Sequence, residues 1–258
     1  MAQVGKFMHY CQERGKKQVK KMNWTSAQKK IRSRIIEESY QAGISHLGSC
    51  LTAVDIIEAV YQIKGKDEHF VLSCGHAALA LYAILEKYGS LDPAKIKELH
   101  IHPDRNPALG IEVSTGSLGQ GLPISVGLAL ADKDKMVFCL ISDGECAEGS
   151  IWESLSIIAD KALNNLVIIV NANGWGAYDP VSLEKLANKI KGFGFAVIKT
   201  DGHNVDKLKR AVQKARRKMP AVVFALTTVE QLPFLTGQDA HYHVMTEEDY
   251  KTALVALK

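Results

Sequence analysis

The chain has 258 residues, 47% of them hydrophobic and 23% charged, an ordinary composition near the upper size of one hydrophobic core. Its formal charge is only +4, and Lys16, Lys17, Lys20 and Lys21 supply part of that, so a nucleic-acid partner is not expected. Five cysteines without Cys-x-x-Cys or zinc-like spacing, no run of 18 apolar residues and no secretory signal point to a cytoplasmic protein outside the membrane.

Residues 1–22 read as a basic extension, a solvated arm, and residues 23–258 as a single domain. From Ser26 the pattern is helical, with Ile31, Ile35, Ile36 and Tyr40 on one stripe and Gly43 as the stop. A second helix is expected after Thr52, burying Ile56, Ile57, Val60 and Tyr61. His69 to Ser73 reads as a short strand, followed by a turn through Gly75 and an Ala/Leu-rich helix ending near Lys87. Met136 to Ile141 and Leu166 to Val170 are unbroken apolar runs, as strands buried on both faces of a parallel sheet require. Further strands are expected at Phe195 to Lys199 and Ala221 to Thr227, with helical segments between. The alternation predicts an α/β fold, a three-layer α/β/α sandwich with a mainly parallel sheet. Ligands bind such sheets beyond the carboxyl ends of the strands.

Two strand ends carry polar clusters. Ser142-Asp143-Gly144-Glu145 follows the strand ending at Ile141, ahead of a helix that begins near Glu148 and contains Trp152, Leu155 and Ile158. Asn171-Ala172-Asn173-Gly174-Trp175 closes the next strand. A carboxylate, an amide oxygen and a backbone carbonyl form a hard donor set suited to Mg²⁺ or Ca²⁺. An ion there would join Asp143 to a phosphate that otherwise repels it. Asp-Gly and Asn-x-Asn-Gly are also common turn sequences, so spacing alone leaves a plain loop as the alternative. Neither Gly-x-x-x-x-Gly-Lys-Ser/Thr nor Gly-x-Gly-x-x-Gly occurs, which removes the Walker loop and the dinucleotide fingerprint.

The run Ser142-Asp143-Gly144 through Glu148-Gly149, Trp152-Glu153, Asn164-Asn165-Leu166 and Asn173 resembles the thiamine diphosphate motif of transketolases. The resemblance extends to Ala42 through Ser49, Leu72 through Ala77, Glu112 through Gly121 and Asp201-Gly202-His203, in family order. It implies the thiamine diphosphate-binding fold of the diphosphate-binding type. It implies Asp143, Asn173 and the Trp175 carbonyl as metal ligands, and His76 and Gly144 at the diphosphate. Gly116 and Leu118 would meet the aminopyrimidine, and His46 and His102 would approach the substrate oxygens as catalytic groups. His241 resembles a late histidine that reaches diphosphate and substrate. Glu148 resembles a carboxylate near the cofactor at a subunit contact, with Glu153 in support.

Full transketolases continue into a pyrimidine-binding domain and a third domain, so the resemblance implies the N-terminal subunit of a split transketolase. It would transfer a two-carbon ketol unit from a ketose (phosphate) to an aldose (phosphate). Its partner would be a C-terminal subunit carrying the pyrimidine-binding domain, with two copies of each subunit. A related enzyme such as deoxyxylulose phosphate synthase and a non-catalytic binding subunit are the alternatives. Ser142 replaces the usual first glycine of the motif, and Thr227 to Gln231 stands where a Lys-Thr-x-Lys-Gly-like stretch is usual.

Overall fold

The computed structural model describes residues 22–218 and 220–257. The expected basic extension, residues 1–22, lies outside the described residues except for Met22. Helix α1 (Ser26–Ala42) starts at a reciprocal cap between Thr25 and Gln28 and stops at Gly43, which is left-handed at φ 59°. Its stripe of Ile31, Ile35 and Ile36 is buried, as the spacing predicts.

Helix α2 (Leu47–Tyr61) begins at Leu47, ahead of the expected start after Thr52. The sequence conceals this turn because Gly48 and Ser49 are poor helix formers. Gly48 is required by contact: a β-carbon there would lie 2.8 Å from the Ala240 carbonyl oxygen. Nearly every α2 residue is buried, so tertiary packing overrides local propensity.

Five strands, β1 (His69–Leu72), β2 (Val137–Ser142), β3 (Leu166–Ala172), β4 (Ala196–Asp201) and β5 (Ala221–Leu226), form one parallel sheet in the order β1-β2-β3-β5-β4. β2 and β3 are buried along their whole length, matching their unalternating apolar sequence. β4 is the outer strand on one side and only half-buried. Successive strand residues feed opposite faces. Phe138, Leu140, Val167 and Ile169 pack with α1, α2, α3 (Ala78–Lys87) and the later helix α7 (Val205–Arg217). Cys139, Ile141, Ile168 and Val170 pack with α4 (Gly121–Ala131), α5 (Gly149–Asp160) and α6 (Leu183–Gly192). The three-layer sandwich follows. Helix α8 (Glu247–Ala256) is capped by Thr246 and Asp249, and its Tyr250 stacks on Tyr40 of α1 with centroids 4.4 Å apart.

Helix α4 is an element that periodicity does not announce, being apolar on every side. No helix among the described residues is long and apolar enough to cross a membrane.

Candidate functional site

A cavity of about 180 Å³ opens at the carboxyl ends of β1, β2 and β3. Among its lining residues are His46, His76, His102, Gly116, Leu118, Gly144, Asn173, Trp175 and His241, nine of the eleven candidates. They arrive from separate segments. His76 lies in the turn Gly75–Ala77 after β1, Gly144 in the turn Gly144–Ala147 after β2, and Asn173 and Trp175 follow β3. Gly116 and Leu118 precede α4, His46 caps α2, and His241 ends the turn Gly237–His241.

The strand tips meet because Ser142 is in register with Asn171 in parallel pairing, and the Asp143 N–H donates to the Asn171 carbonyl at 3.2 Å. Asp143 is 1% exposed and sits just beneath the cavity wall. Its Oδ1 accepts from the Gly144 N–H at 3.0 Å and its Oδ2 from the Gly174 N–H at 2.6 Å. Burial pushes its pKa up to about 7, and those backbone donors only partly oppose the shift. No ion pair to Asp143 occurs among the described residues. Asn173 accepts from the Trp175 N–H at 2.9 Å, and the Trp175 carbonyl borders Gly144. A buried carboxylate without an ion-pair partner among the described residues, beside an amide oxygen and the Trp175 carbonyl, fits a hard divalent ion. The turn Gly144–Ala147 is a short 3₁₀ turn that separates Asp143 from α5, so the α5 N-terminus does not face Asp143 directly.

Four imidazoles share the cavity. Ring centroids lie 5.4 Å apart for His46 and His76, 6.2 Å for His46 and His102, and 6.4 Å for His76 and His241. Burial, reinforced by neighbouring histidines, lowers His46 to about 4 and His76 to about 3. Burial also lowers His241, against the opposing pull of the Trp175 backbone. At neutral pH these three rings are therefore uncharged hydrogen-bonding groups. His46 Nδ1 and His241 Nε2 are buried with no hydrogen-bond partner of good geometry among the described residues, although the Trp175 backbone lies close to the His241 ring. Such orphaned atoms around a polar cavity mark a place for a ligand.

Gly75 lets the His76 turn press against the next loop, since a β-carbon would lie 2.6 Å from the Thr115 carbonyl carbon. Residues 25–254 match the family described as transketolase, thiamine diphosphate binding domain. The chain belongs to this family. Human transketolase is 34% identical across 75% of this chain, but that match covers 35% of the human protein, so the chain spans about a third of the length of such relatives. The 6-deoxy-6-sulfo-D-fructose transketolase subunit SqwG of Clostridium sp. (strain MSTE9) is 31% identical across 88% of this chain and 94% of its own length. Transketolase from Campylobacter jejuni superposes with a TM-score of 0.80 at 26% identity, covering 92% of this chain and 43% of that one. The sandwich is thus a transketolase-family thiamine diphosphate-binding domain.

Two candidates stand apart from the cavity. Asp143 is beneath it, as described, and Glu148 is exposed outside it, its stem packed against Gly119 at the start of α5. Glu153 is exposed on α5. Other motif residues turn out to hold the frame. Asn165 donates to the carbonyls of Ala129, Asp132 and Lys135, and the Trp152 indole donates to the Cys146 carbonyl at 2.9 Å. His203 Nε2 accepts from the Thr228 N–H at 3.0 Å, while its Nδ1 faces Asp55.

Sequence reasoning missed Glu145. Its carboxylate is fully buried and accepts from the Ser73 hydroxyl at 2.7 Å and from the N–H groups of Gly119 at 3.0 Å and Ser142 at 2.9 Å. It ties together three loops that carry His76, Leu118 and Asp143. Burial raises its pKa against these donors. An acid inside a turn that already holds Asp143 and Glu148 reads as solvated, and no pattern in the chain distinguishes it. Tyr242, Gly176 and Ala177 also line the cavity without having been singled out.

Proposed function

We propose that this chain is the N-terminal subunit of a split transketolase, holding the diphosphate of thiamine diphosphate through Mg²⁺ and working only with a separate pyrimidine-domain partner. The observation that carries this reading is the convergence of separate segments on one cavity above a buried Asp143 that makes no ion pair among the described residues. Support for a separate partner comes from a relative matched almost end to end, which is itself named a transketolase subunit.

In this reading Asp143, Asn173 and the Trp175 carbonyl hold the ion, and His76 and Gly144 touch the diphosphate. Thiamine diphosphate, when bound, supplies the carbanion chemistry of carbon–carbon cleavage and formation. His46 and His102 hydrogen-bond the hydroxyl and carbonyl oxygens beside the reacting carbon and move protons there. His46 suits this role because its depressed pKa keeps the ring neutral, able to donate at one nitrogen and accept at the other. Glu148, exposed near Gly119, would meet the partner subunit. Residues 23–258 act as one binding domain, and two copies of each subunit would close the assembly by symmetry.

The test is titration calorimetry with thiamine diphosphate and Mg²⁺, alone and with the pyrimidine-domain subunit, followed by assay of ketose-to-aldose transfer against pyruvate decarboxylation. Binding with ketol transfer only in the mixture supports the proposal. Cofactor binding without turnover in the complete complex would instead make the chain a non-catalytic binding subunit.

A further inference from the structure

We propose that Ser49 is a positioning residue that holds the neutral His241 ring with its proton on Nε2, so that the ring offers the cavity an N–H donor rather than a lone pair. The part of this inference that concerns the ligand rests on the reading of the cavity as a diphosphate site; the part that concerns the tautomer does not.

Ser49 Oγ lies 2.7 Å from His241 Nδ1, and the two residues are 1% and 8% exposed. The contact is fixed on both sides by backbone. The His46 N–H donates to the His241 carbonyl at 2.9 Å, and Gly48 lets α2 pack directly on Ala240. The first turn of α2 therefore grips the turn Gly237–His241, leaving the ring little freedom to choose another partner.

Which atom donates follows from what is left over. Nδ1 is the hydrogen-bond partner of the Ser49 hydroxyl among the described residues. If the hydroxyl donates, its hydrogen is satisfied and Nδ1 must be bare, which places the ring proton on Nε2. The reverse arrangement strands a buried hydroxyl hydrogen and turns a lone pair toward the cavity. His241 Nε2 is buried without a hydrogen-bond partner of good geometry among the described residues, the Trp175 backbone lies close to the ring, and the ring borders the cavity. A neutral N–H there attracts phosphate or hydroxyl oxygen, whereas a lone pair repels it. No local sequence pattern pairs Ser49 with a histidine 192 positions away.

The experiment uses the full chain labelled with ¹⁵N-histidine. Long-range proton–nitrogen correlation spectra read the tautomer directly, with His241→Gln identifying the signal. The wild type should show Nε2 protonated and Nδ1 bare. Ser49→Ala should redistribute the proton between the two nitrogens, and Ser49→Cys, similar in size but a weak donor, should fall between them. With Mg²⁺ and inorganic pyrophosphate as probe, Ser49→Ala should bind roughly tenfold more weakly, the scale of one hydrogen bond to a charged group. A wild-type ring protonated on Nδ1, or an unchanged tautomer in both variants, overturns the proposal. A shifted tautomer with unchanged pyrophosphate affinity overturns the donor role alone. Absence of both pyrophosphate and thiamine diphosphate binding in the wild type overturns the cofactor-site reading, and the spectra still decide the tautomer.

Discussion

Replacing Asp143 by Asn should make the cofactor-free protein more stable at pH 7 while removing its response to cofactor. Burial raises the Asp143 pKa from 3.8 to about 7. Three units at about 1.4 kcal/mol each make the wild-type carboxylate cost about 4 kcal/mol of folding free energy at neutral pH. The asparagine amide escapes that cost but sets an NH₂ group against the Gly174 N–H, where Oδ2 now accepts at 2.6 Å. That mismatch costs ~1–3 kcal/mol. The net gain at pH 7 is therefore ~1–3 kcal/mol. The sign reverses in acid. A folded-state pKa above the unfolded value means that the folded protein holds the extra proton between pH 3.8 and about 7. Toward the bottom of that window the wild type has little charge left to bury, and the mismatch outweighs it, so the variant becomes the less stable. Urea unfolding from pH 4 to pH 8 measures both effects. Added Mg²⁺ and thiamine diphosphate at a hundredfold excess over Kd should stabilise the wild type by about 2.7 kcal/mol and leave the variant unmoved. A variant less stable at pH 7 with the pH dependence of the wild type, or one stabilised equally by cofactor, would refute the reasoning.

Gly75→Ala should lose cofactor-induced stabilisation and ~1–3 kcal/mol of stability, because the new methyl can be relieved only by moving the backbone at Thr115 and Gly116; a calorimetric titration checks it, and unimpaired binding would contradict the close approach. His76→Gln should flatten the acid side of the stability curve of the cofactor-free protein. Its pKa falls from 6.5 to about 3, so between those values the unfolded chain holds the extra proton and the wild type loses up to about 1.4 kcal/mol per unit as pH drops. His46 acts in the same direction, screened by its partial exposure. Because Asp143 acts oppositely over the same range, the informative quantity is the difference between His76→Gln and wild type, read from urea midpoints at each pH.

The sheet was legible because β2 and β3 are buried on both faces, so their composition alone declares them. The strand tips were legible for a related reason: Asp143 and Asn173 follow those runs at once, and parallel pairing of neighbours sets their ends side by side. The first turn of α2 was hidden because Gly48 is chosen for contact with Ala240 rather than for helix formation. Ser49 and Glu145 were hidden for a deeper reason. Each acts across a sequence gap, to His241 in one case and to Ser73 and Gly119 in the other. Their chemistry is ordinary, and only the burial that the fold creates makes it consequential. Glu148 shows the converse, a residue marked by its motif that the chain alone leaves in solvent.

The stretch from Thr227 to Gln231, which departs from the expected lysine-bearing pattern, has a structural use that accounts for Thr227 and Gln231. The Thr227 hydroxyl donates to Asn171 Oδ1 at 2.7 Å, and Asn171 donates in turn to the Thr52 hydroxyl at 2.8 Å. Gln231, 2% exposed, accepts from Arg32 Nε and Nη2 at 3.2 Å each, completing a buried guanidinium site whose other acceptors are Asp55 and the Leu51 carbonyl. Arg32 is 1% exposed, so every donor that loses its acceptor there stays out of water. Gln231→Ala removes that acceptor and should cost ~1.5–3 kcal/mol, the range for hydrogen bonds to a charged group. The loss should exceed that of Glu230→Ala, whose side chain is only half-buried. Urea unfolding of both variants compares them directly. Because none of these five residues lines the cavity, cofactor binding should survive Gln231→Ala at temperatures where the variant is folded. A neutral substitution would mean that Asp55 and the Leu51 carbonyl suffice for Arg32. A stable variant that no longer binds cofactor would move this stretch from the frame into the site.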